Sequence, residues 1–216
     1  MTQAIIITGT DTDVGKTVFA AGLVALLDGY YWKPVQVGLY GATDAAIVQR
    51  LSGLPPDRVL PEVYRLTTAA SPHLAAERDA VNIDIESLAT VPILTQGRAV
   101  VIEGAGGLLV PLSRRHLQIE LFARWRAPVV LVASTRLGTI NHSLLSIEAL
   151  KRRQIPLLGI VFVGEENPDS ERTISQMGGV RRLGRLPIIE PLNEHTLRDA
   201  FAANFRAEDF AVPVAA

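Results

Sequence analysis

The segment from Gly9 to Thr17 (GTDTDVGKT) constrains this chain more than any other. It follows a short β-branched run at residues 4–8 (AIIIT) and leads into helical spacing over residues 16–27. A glycine-rich turn from a strand into a helix brings backbone N–H groups close to phosphate oxygens. The helix start adds the positive end of its dipole. In that setting Lys16 reaches the β- and γ-phosphates of a nucleotide, and the Thr17 hydroxyl ligates Mg2+. The standard pattern is G-x-x-x-x-G-K-[ST]. Here five residues, 10–14, separate the glycines, so the loop is a length variant. An ordinary glycine turn with an incidental lysine is the alternative. It leaves Gly15-Lys16-Thr17 at a helix start unexplained.

The rest of the chain alternates in the same way. Residues 31–35 read as a second strand. Residues 99–103 (AVVIE), 128–133 (PVVLVA) and 157–163 (LLGIVFV) are continuous apolar runs. Strands of a parallel sheet look like this, because helices cover both faces. Helical spacing occupies 44–51, 117–125, 140–153, 170–177 and 194–204. The helix at 140–153 is the clearest. Ile140, Leu144, Ile147 and Leu150 form one stripe, and Lys151, Arg152 and Arg153 close the last turn, where they suit the dipole. The alternation predicts one α/β domain over residues 1–216, doubly wound, with a mostly parallel sheet flanked by helices. Residues 55–92 are rich in loops, with short helices expected near 73–78 and 85–94. The tail at 207–216 is expected to be loose.

Composition excludes several classes of function. The chain is 48% apolar and 20% charged, which suits a packed core rather than disorder. A formal charge of −1 offers no basic track for nucleic acid and no cationic block for an anionic membrane. The absence of cysteine excludes disulfides, thiolate metal sites and thiol nucleophiles. No apolar run approaches the roughly 20 residues of a bilayer span. Residues 1–3 lack the basic start of a secretory signal, so a cytoplasmic location is expected.

Further candidates for chemistry lie beyond the loop. Glu103 ends an apolar strand and precedes Gly104, Ala105, Gly106 and Gly107. Beside a phosphate loop, an acid at a strand end is the expected second anchor for Mg2+, and open α/β sheets bind ligands at those ends. The alternative is a solvated carboxylate before a flexible turn. Lys33, after two aromatic residues, either serves a site or snorkels to solvent. Asp44 opens a helix and by itself reads as an N-cap or first-turn acid. The helix start at Gly138, Thr139, Ile140, Asn141 and His142 either binds a carboxylate through its free N–H groups or is simply capped by Thr139. His73, His116, His142 and His195 are scattered, without zinc spacing.

Taken together, the motifs resemble those of the dethiobiotin synthetase family over nearly the whole chain. They occur in family order: GTDTDVGKT at 9–17, Lys33-Pro34-Val35, Asp44, Ser71-Pro72-His73, EGAGG at 103–107 and LGTINH at 137–142. The variant loop length is the one that family uses. The resemblance implies ring closure of 7,8-diaminopelargonate with CO2, driven by ATP with Mg2+, through a carbamate and a carbamic–phosphoric anhydride. It implies catalytic roles for Lys33, Lys16 and Thr12. Nucleotide contacts would come from Asp13, Val14, Gly15, Lys16, Thr17, Val18, Glu103, Gly104, Ala105, Gly106, Val163, Gly164, Leu186, Pro187 and Ile188. Thr17, Asp44 and Glu103 would hold Mg2+. Substrate contacts would come from Lys33, Val37, Gly106 and Gly107, and from Gly138, Thr139 and Asn141 of the second subunit of a homodimer with a shared site.

Three positions depart from the family pattern. Asp13 stands where many relatives have Glu. Val37 replaces a hydroxyl residue, and any hydrogen bond from that hydroxyl is lost. Val163 replaces an Asn that reads the adenine edge, so weaker adenine discrimination is expected and other nucleoside triphosphates substitute for ATP. Two rival readings share the broad fold. A cobyrinate-type amidoligase needs an ammonia-supplying domain, for which 216 residues without cysteine leave little room. A partitioning ATPase leaves Lys33 and the helix start at 138–141 unexplained.

Overall fold

The computed structural model describes residues 4–92 and 97–211. Its main sheet is built from β1 (Ala4–Gly9), β2 (Tyr30–Trp32), β4 (Val59–Leu60), β6 (Val100–Gly107), β7 (Val129–Ser134), β8 (Leu157–Val163) and β9 (Arg182–Leu186). The strand order is β4-β2-β6-β1-β7-β8-β9, with every pairing parallel. A second, two-stranded parallel sheet joins β3 (Val35–Val37) to β5 (Tyr64–Leu66).

Alternate side chains of each strand enter opposite cores, as a period of two requires. Ile6, Ile102, Leu131 and Phe162 face one core. Residues of α3 (Pro72–Arg78), α4 (Gln118–Trp125), α5 (Thr139–Arg152) and α6 (Pro168–Gly178) cover it. Ile5, Ile7, Val101, Val132 and Val161 face the other. That core is covered by α1 (Lys16–Leu26), α2 (Asp44–Ser52) and α7 (Glu194–Asn204). The doubly wound sheet expected from the alternation is the observed architecture. Among the described residues, no helix is long and apolar enough to cross a membrane.

Several expectations need correction. The strand expected at 31–35 is broken at Lys33-Pro34. Pro34 has no N–H for a ladder, and its carbonyl instead accepts from Val63 N and Tyr64 N at 2.9 and 3.0 Å. The chain thereby passes from the main sheet into the small one. The helix expected at 85–94 is only a 3-10 turn, Glu86–Leu88; residues 93 and 94 lie outside the described residues. Gly138, not Thr139, caps α5, with φ 95°, and the Thr139 hydroxyl donates to Ser134 O instead.

The tail is not loose over 207–210. Ala207–Phe210 forms a 3-10 turn, and Phe210 is fully buried; residues 212–216 lie outside the described residues. The reason is aromatic. Phe19, Phe201, Phe205 and Phe210 stack with ring centroids 4.7 to 6.2 Å apart, the separations that favour aromatic pairs.

Gly22 of α1 lies directly beneath this cluster. A Cβ at that position would intrude on the Phe201 ring. Helix propensity favours Ala over Gly by about 1 kcal/mol, but overpacking a core costs about 1–3 kcal/mol. Clash wins, so Gly22→Ala lowers the thermal midpoint. A neutral or raised midpoint would contradict this packing.

Candidate active site

The sheet delivers its chemistry at the C-terminal edge of β1, β2 and β6. After β1 the chain turns through residues 10–15 into α1. Gly15, with φ 94°, is the N-cap. A side chain there would be strained by the left-handed backbone and would meet Val163 Cγ1 at 2.8 Å. Asp13 also has positive φ, 55°, a conformation that Asp tolerates better than most residues. Lys16 is the first residue of the helix. It is buried, and its Nζ donates to Asp11 O at 2.8 Å. Burial pushes its ammonium below the ordinary lysine range, against the partial offset of Glu103.

Behind Lys16 lies a compact charged cluster. Thr17 Oγ1 is 2.9 Å from Asp44 Oδ1 and 2.9 Å from Glu103 Oε1. Lys33 is only 4% exposed. Its Nζ lies 3.1 Å from Glu103 Oε1 and is paired with Asp44 Oδ2. Lys33 therefore does not snorkel. Burial would push its ammonium down, but the charges and hydrogen bonds of Glu103 and Asp44 outweigh burial and hold it above its ordinary value. Asp44 behaves conversely: burial would raise it, and Lys33, together with Thr17 and Lys16, outweighs burial and holds it low. Local structure fixes each member. Thr43 Oγ1 caps α2 by accepting from Ala46 N, which places Asp44 in the first turn, and Asp44 N donates to Gln36 Oε1 at 3.3 Å.

The Glu103–Gly107 segment is held by its own device. Against β1 the register runs from Ile7↔Glu103 to Gly9↔Gly107, so the intervening residues of β6 bulge out of the ladder. Buried Gln118, at the start of α4, satisfies the bulge. Its Oε1 accepts from Ala105 N at 2.6 Å, and its Nε2 donates to Gly107 O at 3.1 Å. Gly106 reaches φ 70° there, beside the Thr12 hydroxyl.

A cavity of 760 Å3 opens over these groups. Of the residues singled out in the sequence, it brings together Thr12, Asp13, Gly15, Lys16, Thr17, Val18, Lys33, Val37, Asp44, Glu103, Ala105 and Gly106. Gly104 and Val14 are buried behind it. Gly107 lines a neighbouring cavity of 440 Å3, together with His142 and Leu145 of α5. Val163, Gly164, Leu186, Pro187 and Ile188 do not line the large cavity. They join the ends of β8 and β9, where Gly164 N donates to Leu186 O at 3.0 Å. Gly138, Thr139 and Asn141 do not line it either; Gly138 and Asn141 are exposed at the start of α5.

Tyr31, Gln36 and Gln118 touch the cluster or its loops and were not singled out. Tyr31 had a signal: it stands two residues before Lys33 on an extended run, hence on the same face. Gln118 had none.

The donor set fits Mg2+. Thr17 has one hydroxyl proton for two carboxylate oxygens at equal distance, a mismatch that a cation between them would relieve. Among the described residues, no group of three or more His, Cys, Asp or Glu could hold a metal. The pair Asp44 and Glu103 suits Mg2+, which prefers one or two carboxylates completed by phosphate oxygens and water.

A family model described as an AAA domain matches residues 3–196. The chain is 63% identical over 211 residues to the ATP-dependent dethiobiotin synthetase BioD of Rhizorhabdus wittichii, covering 98% of this chain and 100% of that one. It is 61% identical over 210 residues to the protein of the same name from Rhodopseudomonas palustris strain HaA2, covering 97% of each. Among solved structures it resembles a ParA family ATPase from Chlorobium tepidum (TM-score 0.56, 13% identity, covering 94% and 91%). It also resembles the cell division ATPase MinD of Pyrococcus furiosus (TM-score 0.56, 14% identity, covering 97% and 98%). At such identities the likeness concerns the fold alone.

Proposed function

The chain belongs to the ATP-dependent dethiobiotin synthetase family, and from that premise we propose how its residues make dethiobiotin, as an ATP-dependent ligase of biotin biosynthesis. One α/β domain carries the reaction, in the cytoplasm. One amine of 7,8-diaminopelargonate traps CO2 as a carbamate. A carbamate oxygen then attacks the γ-phosphate, and ADP departs, leaving a carbamic–phosphoric anhydride. The second amine attacks the carbonyl carbon, phosphate departs, and the ureido ring closes.

The observation that carries this reading is that Lys16 and Lys33 open onto one cavity, with Thr17, Asp44 and Glu103 between them. The reaction gathers a triphosphate and a carbamate, and fixed cations offset that charge without reorganising at the moment of transfer. Lys16, at the helix start, takes the phosphates. Lys33, held charged by its two carboxylates, takes the carbamate. Thr17, Asp44 and Glu103 would hold Mg2+, which supplies positive charge to the phosphate oxygens. Thr12, beside Gly106, lies over the reacting centre, and Ala105 and Gly106 line the same cavity. Holding both reactants in line supplies much of the rate.

The distal carboxylate of the diamine binds at Gly138, Thr139 and Asn141 of a second copy in a homodimer. In support, that helix start lies outside its own chain's large cavity, and Leu109 and Leu145 beside it are more than half exposed. The partitioning ATPase reading rests only on a shared fold at 13–14% identity. Product analysis decides between them. Purified protein with diaminopelargonate, bicarbonate, Mg2+ and ATP yields a mass matching dethiobiotin, and phosphate release requires both diamine and bicarbonate. ATP turnover indifferent to both would overturn the reading.

Base selection follows from Val163, which packs against Gly15 and cannot hydrogen-bond a base edge. The base lies there, flanked by Gly164 and by Leu186, Pro187 and Ile188. Apolar contact discriminates by only about 10- to 200-fold, whereas a hydrogen-bonding site reaches about 10^4. Initial rates with ATP, GTP and CTP therefore fall within about a hundredfold of each other. An ATP preference near 10^4 would contradict this.

A further inference from the structure

Tyr31 belongs to no motif quoted above, and no step of the reaction uses it, yet it completes the coordination of Glu103. The two oxygens of that carboxylate have divided tasks. Oε1 faces Thr17 Oγ1 at 2.9 Å and Lys33 Nζ at 3.1 Å. Oε2 accepts at 2.8 Å from the Oη of Tyr31, which does not line the cavity. The last torsion of a glutamate is soft and roughly two-fold, so nothing intrinsic to the side chain keeps one oxygen forward. A hydrogen bond to the rear oxygen does.

The donor itself cannot drift. Tyr31 is fully buried, and Glu103 is 1% exposed. Its backbone lies in an interior strand, paired with Val59 on one side and Val101 on the other. A carboxylate oxygen can only accept and the phenol carries one O–H, so the hydroxyl donates. Lys33 directly follows β2, so this strand and the residue after it grip both oxygens of Glu103.

We propose that Tyr31 is a positioning residue: its hydroxyl fixes the carboxylate plane of Glu103 so that Oε1 stays turned toward the cation site and Lys33. This rests on Glu103 being part of the Mg2+ site.

The test uses Mn2+ as probe, bound to the ADP complex and followed by electron paramagnetic resonance, with Mg2+-dependent turnover measured alongside. Tyr31→Phe removes one oxygen and keeps the ring; Tyr31→Leu gives the same reading if the Phe variant does not fold. A hydrogen bond to a charged group is lost, so the Mn2+ dissociation constant rises about tenfold. The half-saturating Mg2+ concentration rises in parallel, by more than kcat falls. Glu103→Gln also weakens Mn2+, and adding Tyr31→Phe to it weakens Mn2+ no further. Unchanged Mn2+ binding in Tyr31→Phe, with Glu103→Gln weakened, overturns the positioning role alone. Unchanged binding in both overturns the metal role of Glu103 and this inference with it.

Discussion

Lys33→Ala lowers kcat by about 10^2- to 10^3-fold, the loss seen when one preorganised donor to developing charge is removed. ADP affinity changes by less than about threefold, because the proposed roles give the phosphates to Lys16, not Lys33. The same substitution also destabilises the free protein. Lys33 is the cation between Asp44 and Glu103, and without it two carboxylates share a buried site. Removing one partner of a buried ion pair costs about 3–5 kcal/mol.

The pH dependence of that cost has a defined sign. Asp44 is held below its ordinary 3.8, so its contribution is present above that value and fades as pH falls through the lowered value. Lys33 is held above its ordinary 10.5, so its contribution is complete below 10.5 and fades as pH rises through the raised value. In Lys33→Ala the two buried carboxylates lack their cation and are pushed up, so the stability gap to wild type is widest at neutral and alkaline pH, up to about pH 10, and narrows as pH falls toward the carboxylate range. Denaturant unfolding from about pH 4 to pH 10 checks it, and a gap that widens as pH falls would contradict the pairing.

Lys16→Ala gives the contrasting result. ADP affinity falls by at least about a hundredfold and turnover disappears, since charge-assisted bonds to phosphate are worth about 1.5–3 kcal/mol each. The free protein, however, is not destabilised as the Lys33 variant is. Burial already lowers the Lys16 ammonium, so the fold holds this charge at a cost. Its thermal midpoint stays level or rises, while the midpoint no longer responds to added ADP. A large loss of stability without nucleotide would show that Lys16 is chiefly structural.

Much of this was legible in the sequence, for identifiable reasons. β1, β6, β7 and β8 are apolar on both faces, which parallel sheets require, and their runs were found within a residue or so at each end, apart from the bulged end of β6. β9 escaped notice because RLGRL carries charge on an edge strand. β4 spans two residues, too few for any period. Phe210 read as tail because the cluster that buries it includes Phe19 of α1, far away in the chain.

At the site, the phosphate loop was legible because its chemistry is local. Lys33, Asp44 and Glu103 were visible only as separate weak signals. Their meaning lies in contacts across 70 and 86 positions, Lys33 to Glu103 and Thr17 to Glu103, which no local spacing encodes. Gln118 acts through its side-chain amide on a backbone bulge, and a lone glutamine at a helix start announces nothing.

In the proposed reaction this arrangement drives transfer of the γ-phosphoryl group onto a carbamate oxygen. Oxygen tracing tests it most directly. With bicarbonate labelled throughout with oxygen-18, and the products read by mass before exchange with water, each turnover leaves one labelled oxygen in the released phosphate and one in the ureido carbonyl. Dethiobiotin formed alongside unlabelled phosphate would mean that the phosphoryl group never reached the carbamate, and the account would fail.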